Sequence, residues 1–148
     1  MTENFLELTV DKFTFRVKEG LLYAESGVWV ALGDAAGTAR LGLTDFRQQS
    51  SGDVAFVELP SLGTNVTAGN EVARIETIKV DLEVPAPFAG QVVGINAALG
   101  DRPELINQDP YGEGWLLDLQ PARWPVEGLL DAQAYLAVME SQAAEAAS

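Results

Sequence analysis

The sequence predicts a mostly β protein, a small sandwich or barrel of short strands with short helices and an amphipathic helix near its C-terminal end. Three observations predict it. Apolar and polar residues alternate over short runs, Gly and Pro turn signals separate those runs, and the last apolar stretch changes to helical spacing. The chain of 148 residues is long enough for one domain with a sizeable core, and 47% hydrophobic with 21% charged residues is ordinary for a globular protein.

The elements follow in order. Residues 1–20 form a strand-bearing leader, "FLELTVDKFTFRVKEG", in which Phe13, Phe15 and Val17 share one strand face and Lys12, Thr14, Arg16 and Lys18 the other. A β domain over 21–126 comes next. "LLYAESGVWVALGDAAGTARLGL" reads as strand, turn, strand, turn, strand, with turns at Ser26-Gly27 and over 33–37. Thr44 is placed to N-cap a short helix running to Ser51, which Gly52 ends. "DVAFVELP" is a strand, and Pro60, Gly63 and Gly69-Asn70 mark turns. "EVARIET" and "VDLEV" are two strands on either side of Ile78-Lys79, the second with Val80, Leu82 and Val84 opposed to Asp81 and Glu83. "GQVVGIN" and "GWLLDLQ" are strands, with one helical turn at "RPELIN" between them. Over 127–142, Leu129, Leu130, Gln133, Leu136 and Met139 recur at near-helical spacing, so a helix packs on the β domain there, and the tail 143–148 is expected to fray.

Composition excludes several function classes. A net charge of −13 opposes binding to nucleic acid or an anionic membrane. Cysteine and histidine are both absent, which removes disulfides, Cys and His nucleophiles, a histidine general base and the usual zinc sites. Redox chemistry, if the protein performs any, is borrowed from a cofactor. The N-terminus has no basic segment followed by an apolar run, and no apolar stretch has the length of a membrane span, so a cytoplasmic protein is expected.

Lysine is scarce. Lys12 and Lys18 lie in the leader, and Lys79 alone lies downstream, at the junction of two predicted strands. A faint internal echo flanks it: in "ELPSLGTNV" Pro60 stands three residues before Gly63, and in "PAPFAGQVV" Pro87 stands three before Gly90. Two similar halves with Lys79 at the hairpin between them account for that pattern. A lysine on a tight hairpin presents its amine on a rigid base, which suits covalent attachment of a carrier group. The alternative is a solvated lysine decorating a turn.

The long array from Val57 through Leu117 decides between them. "ELPSLGTNVTAGNEVARIETIK" and "PAPFAGQVVGINAALGDRPELINQDPYGEGWLL", with "GLTDFRQQSSGDVAFVELP" and "LLDAQAYLAVME" outside them, resemble the glycine cleavage system H protein family over roughly residues 28–140. The resemblance implies a barrel-sandwich hybrid of the lipoyl/biotinyl type and a carrier that is not itself an enzyme. It makes Lys79 the lipoyl-lysine and lipoate the covalent cofactor. It implies a lipoate ligase or lipoyl transferase, the P, T and L proteins of glycine cleavage and dihydrolipoamide dehydrogenase as partners. Glu76, three residues before the lysine, either orients the hairpin for the ligase or is a plain surface acid. Gly69 and Gly90 are assigned to turns, the "DPYGEGW" segment with Tyr111 and Trp115 to packing, and Asp81 and Glu83 to a solvated face.

Three features depart from the family. Gly27-Val28-Trp29 stands where its members usually read His-Glu-Trp, bulky and acidic Val80-Asp81-Leu82-Glu83 follows the lysine, and the leader is additional. If these face partners, they tilt the reading toward the H-like lipoate-binding proteins of bacterial sulfur oxidation, whose partner is a heterodisulfide-reductase-like complex. The other readings are an authentic H protein and an unmodified scaffold acting in protein interaction. A biotin carrier normally flanks its lysine with methionines, where this chain has Ile78 and Val80.

Overall fold

The computed structural model describes residues 4–33, 37–123 and 125–147. Strands β1 (Phe5–Val10) and β2 (Phe13–Lys18) form a separate hairpin, closed by Asp11 in the left-handed region (φ 58°). The chain continues through β3 (Leu22–Ala24), β4 (Val28–Leu32), β5 (Ala39–Leu43), α1 (Asp45–Ser51), β6 (Val54–Glu58), β7 (Asn65–Val66), β8 (Glu71–Thr77), β9 (Asp81–Pro85) and β10 (Gly90–Ile95). A 3₁₀ turn (Ala97–Gly100), α2 (Leu105–Gln108), β11 (Leu117–Pro121) and α3 (Ala132–Ala147) complete it. Of the turn expected over 33–37, Asp34, Ala35 and Ala36 lie outside the described residues.

Two sheets face each other, one of six strands in the order β3-β4-β5-β11-β10-β7 and one of three in the order β6-β8-β9. Alternation predicts this: Ile75, Leu82 and Val84 from the smaller sheet and Val30, Leu41, Val92 and Leu119 from the larger are all buried in one core. The two echo segments pair with each other. Gly90 lies opposite Val66 and Gln91 opposite Asn65, and Gly63 N–H donates to the Val92 carbonyl (2.7 Å). The halves thus meet antiparallel, with the β8–β9 hairpin between them in sequence.

A second apolar cluster lies outside the sandwich. Phe15 and Val17 of the leader, Tyr23, Trp29 and Phe46 pack there with Ala132, Tyr135, Met139 and Ala143 of α3. Tyr23 and Tyr135 stack at 4.8 Å and 10°. The leader is therefore integrated through its packing against α3. Phe13, expected on the packed face with Phe15 and Val17, is 56% exposed at the hairpin tip.

The terminal helix differs from expectation at both ends. It begins at Ala132, because Leu130 is extended and exchanges backbone hydrogen bonds with Tyr23 (2.7 and 2.8 Å). Asp131 then accepts from Ala134 N–H (2.8 Å), a side-chain cap that starts the helix. The buried stripe is Ala132, Tyr135, Met139 and Ala143, while Leu136 is half-buried and Gln133 exposed. The helix continues past residue 142 through residues 143–147, since alanine favours helix and Ala143 is buried against the leader's cluster. Ser148 lies outside the described residues.

Two glycines are required for different reasons. Gly69 has φ 87° and belongs to a turn, as expected. Gly90 does not serve a turn: a Cβ there would meet the Gln120 carbonyl oxygen at 2.5 Å, so its role is close approach between β10 and β11.

Candidate functional site

Lys79 lies in the connection between β8 and β9, and its side chain is exposed. Thr77 organises that connection. Its Oγ1 accepts from the Lys79 N–H (3.1 Å) and the Val80 N–H (2.9 Å), and lies 2.7 Å from the Ser51 carbonyl and 2.8 Å from the Val80 carbonyl. A hydroxyl has one proton, so it donates to one carbonyl at a time while holding both amides. The Thr77 N–H donates to the Val80 carbonyl (2.9 Å), and the Ile78 N–H to the Asp53 carbonyl (3.0 Å). The tip is thereby fastened across to the segment that ends α1.

That segment is itself braced. Thr44 caps α1, accepting from the Arg47 N–H (3.2 Å), and Gly52 ends it with φ 95°, both as the sequence predicts. Asn107 of α2 accepts from the Val54 N–H (2.9 Å) and donates to the Gly52 carbonyl (3.1 Å) and to Gln48 Oε1 (3.0 Å). One amide side chain thus joins α1, the 52–54 segment and α2. Sequence reasoning passed over Thr77 and Asn107. A threonine two residues before a turn lysine is a detectable turn signal. Asn107 stands in the distinctive "PELIN" run but has no local signal of this role.

The lysine ammonium bends toward α1, where Nζ donates to the Ser50 carbonyl (3.3 Å). Ile78 and Val80 on either side are 78% and 43% exposed, so the amine stands between two apolar side chains open to solvent. Behind it opens a groove of about 400 Å³, lined by Lys79, Ser50 and Phe46, by Val10 and Phe13 of the leader, and by Ala143 and Ala146 of α3. On the outer face of the hairpin Glu76, Asp81 and Glu83 are exposed. Glu83 pairs with Arg74 (3.3 Å), which also binds Glu71 (3.0 Å). Glu76 shares its register with Phe56 and Asp81.

The same architecture recurs in known proteins. Residues 21–142 match the family model described as glycine cleavage H-protein. The chain belongs to the glycine cleavage H-protein family. It is 43% identical over 129 residues to a probable glycine cleavage system H protein of Thermococcus gammatolerans, spanning 86% of this chain and 95% of that one. It is also 43% identical over 120 residues to the glycine cleavage system H protein of Micrococcus luteus, spanning 80% and 94% respectively. The crystal structure of a glycine cleavage system H protein from Mycobacterium marinum superposes with a TM-score of 0.72 at 35% identity, covering 79% of this chain and 94% of that one.

Within the family frame, two of the three departures are repositioned. Gly27, Val28 and Trp29 are buried and cannot form part of a partner surface: Val28 enters the main core, and Trp29 Nε1 donates to the Pro110 carbonyl (2.9 Å). The leader, outside the matched residues, is packed on α1 and α3, with the Arg16 N–H donating to Asp45 Oδ2 (2.9 Å) and Gln49 Nε2 to the Thr14 carbonyl (3.0 Å). The strand after the lysine is exposed at Val80, Asp81 and Glu83, and the leader reaches the groove beside the amine through Val10 and Phe13. "DPYGEGW" packs as expected: the Tyr111 hydroxyl donates to the Arg16 carbonyl (2.7 Å), and the Arg40 guanidinium stacks on Trp115 (3.7 Å). Among the described residues no helix is long and apolar enough to cross a membrane.

Proposed function

We propose that this protein is a cytoplasmic, non-catalytic lipoyl carrier, with lipoate in amide linkage to Lys79. The observation that carries this reading is the exposed Lys79 amine on a turn held by Thr77 and the 50–54 segment. The residues present fit such a group: the amine is reachable, the turn beneath it is rigid, and a largely apolar groove opens beside it. Once attached, lipoate supplies a dithiolane that accepts an electron pair and a transferable group and is regenerated by thiol–disulfide exchange. The chain's own residues present the amine to a lipoate ligase or lipoyl transferase. Ile78 and Val80 offer apolar contact beside it, and Thr77 ties the turn to the Ser51 carbonyl and to the Lys79 and Val80 amides.

The relatives' names support glycine decarboxylation as the pathway, with the P, T and L proteins, dihydrolipoamide dehydrogenase among them, as partners. A second reading, the sulfur-oxidising heterodisulfide-reductase-like complex, is favoured by exposed Val80, Asp81 and Glu83 directly after the lysine. Charge and shape at that point discriminate between partners.

Incubation with lipoate ligase, ATP and lipoate tests the attachment. The expected result is a mass gain of one lipoyl group, mapped to Lys79 and absent in Lys79→Arg, whose fold stays intact. Acylation at Lys12 or Lys18 in place of Lys79 refutes it. A glycine–bicarbonate exchange assay with decarboxylase from the same organism separates the pathways. Exchange supported by the loaded protein is expected for glycine cleavage, and failure to support it favours the sulfur reading.

A further inference from the structure

We infer that the outer edge of β1 is a docking edge for an extended segment of a partner protein, in which apolar residues alternate with lysine or arginine. The inference is independent of what Lys79 carries. The leader that supplies this edge lies outside the residues 21–142 that match the family.

The two edges of the leader hairpin differ. Side chains close the outer edge of β2. The Arg16 N–H donates to Asp45 Oδ2 (2.9 Å), and the Arg16 carbonyl accepts from the Tyr111 hydroxyl (2.7 Å). The Thr14 carbonyl accepts from Gln49 Nε2 (3.0 Å), and the Lys18 carbonyl from the Tyr23 hydroxyl. The backbone groups of Thr14, Arg16 and Lys18 therefore face away from β1, so those of their register partners Thr9, Glu7 and Phe5 face away from β2. Among the described residues the backbone N–H and C=O groups of Glu7 and Thr9 have no partner, and both residues are exposed. β1 is six residues long, in unbroken register with β2, and Glu7 is its only charged residue. It carries no proline, bulge or lysine, the features that usually blunt an edge.

The edge specifies its occupant. Only an extended chain presents N–H and C=O groups at the repeat of a strand. On the inner face Leu6, Leu8 and Val10 are half-buried, and they pack with half-buried Leu136 of α3 on the second cluster. Apolar residues at alternate positions of an added strand cover what these side chains leave open. On the outer face the added strand runs beside Glu7 and Thr9, on a chain of net charge −13, which selects cationic residues there and steers a cationic segment in. A second copy of this chain fits poorly. α3 lies over β1 more than over β2. Pairing β1 with its own copy brings two α3 helices to one strand spacing, about 4.8 Å, where packed helices need about 8–10 Å. It also joins two chains of like net charge.

The test titrates the full chain at low salt with a synthetic hexapeptide alternating valine and lysine, and follows amide exchange residue by residue. A hexapeptide alternating valine and glutamate is the control. Near saturation the lysine peptide is expected to slow exchange at Glu7 and Thr9 about tenfold, while the glutamate peptide leaves it unchanged. Thr9→Pro removes an outward N–H and no bond of the hairpin, so it is expected to keep the wild-type melting temperature and abolish the protection at Glu7. Glu7→Lys is expected to transfer the protection to the glutamate peptide, and it alone decides if Thr9→Pro lowers the melting temperature. Absence of protection by the lysine peptide, protection that persists in a stably folded Thr9→Pro, or an unchanged peptide preference in Glu7→Lys overturns the docking edge. Protection at Glu7 and Thr9 that grows with protein concentration in the absence of peptide gives the edge to a second copy and overturns the partner assignment.

Discussion

Replacing Thr77 with valine tests how the lysine is held. Valine keeps the volume and the β-branch, so strand preference and packing are preserved while the hydroxyl is lost. That hydroxyl makes two acceptor bonds, to the Lys79 and Val80 amides (3.1 and 2.9 Å), and one donor bond, to the carbonyl of Ser51 or Val80 (2.7 or 2.8 Å). The two amides are at an exposed tip and can turn to water, so their bonds count at the low end of the usual range. Ser51 is buried, so its carbonyl is less readily rehydrated. Together the losses come to roughly 1–2.5 kcal/mol. In urea the midpoint should fall by about 1 M with an unchanged slope. Amide exchange of Ile78, Lys79 and Val80 should accelerate more than that of Ile75 in the same strand, because the tip opens locally. Lipoylation should slow, since the ligase meets a less ordered loop. An unchanged midpoint together with unchanged exchange at the tip would refute the claim that Thr77 fastens the hairpin to the end of α1.

Three further outcomes follow from the same geometry. Gly90→Ala should destabilise the fold by about 1–3 kcal/mol, measured by thermal melting, because the new methyl meets the Gln120 carbonyl oxygen, built at 2.5 Å from it. Met139→Asp places a charge where the side chain is fully buried and should cost several kcal/mol, about 3 or more, by urea titration; Leu136→Asp, at a half-buried position, should cost less. Burial pushes the Tyr135 hydroxyl up to about 12, against a smaller downward effect of its Thr44 hydrogen bond, so the native state holds its proton through a window in which the unfolded state releases it. Stability from this group is then fully present below about pH 10 and is lost as pH rises to about 12, amounting to about 2–3 kcal/mol. Tyr135→Phe should flatten that part of the pH–stability profile, and an unaltered profile would contradict it. Burial raises Tyr23 and Tyr111 as well, so the variant retains a shallower fall.

The sequence by itself determined what depends on neighbours a few residues away. Thr44 and Gly52 bound α1 because a cap and a left-handed exit are local events. The alternation through Leu82 and Val84 specifies a strand with one buried face, and the position of Lys79 between two such runs places it on a hairpin. The Pro–Gly echo marks two segments that pair with each other, Gly90 opposite Val66. Tertiary structure decided whatever depends on which distant segment covers an apolar face. Alternation alone groups Phe13 with Phe15, but the end of α3 and α1 bury one and leave the other open. Helical spacing alone admits Leu136, Met139 and the residues before them; the backbone pairing of Leu130 with Tyr23 delays the helix and rotates its buried stripe to Tyr135, Met139 and Ala143. Val28 could be taken for a surface change until the sandwich enclosed it. Asn107 joins α1 and the segment before β6 across more than fifty residues, and Lys79 shares a groove with Phe13 and Ala146 because the leader hairpin and the end of α3 converge there. Periodicity and capping report short-range conformational preference, whereas burial and brace contacts are set by segments far apart in the chain.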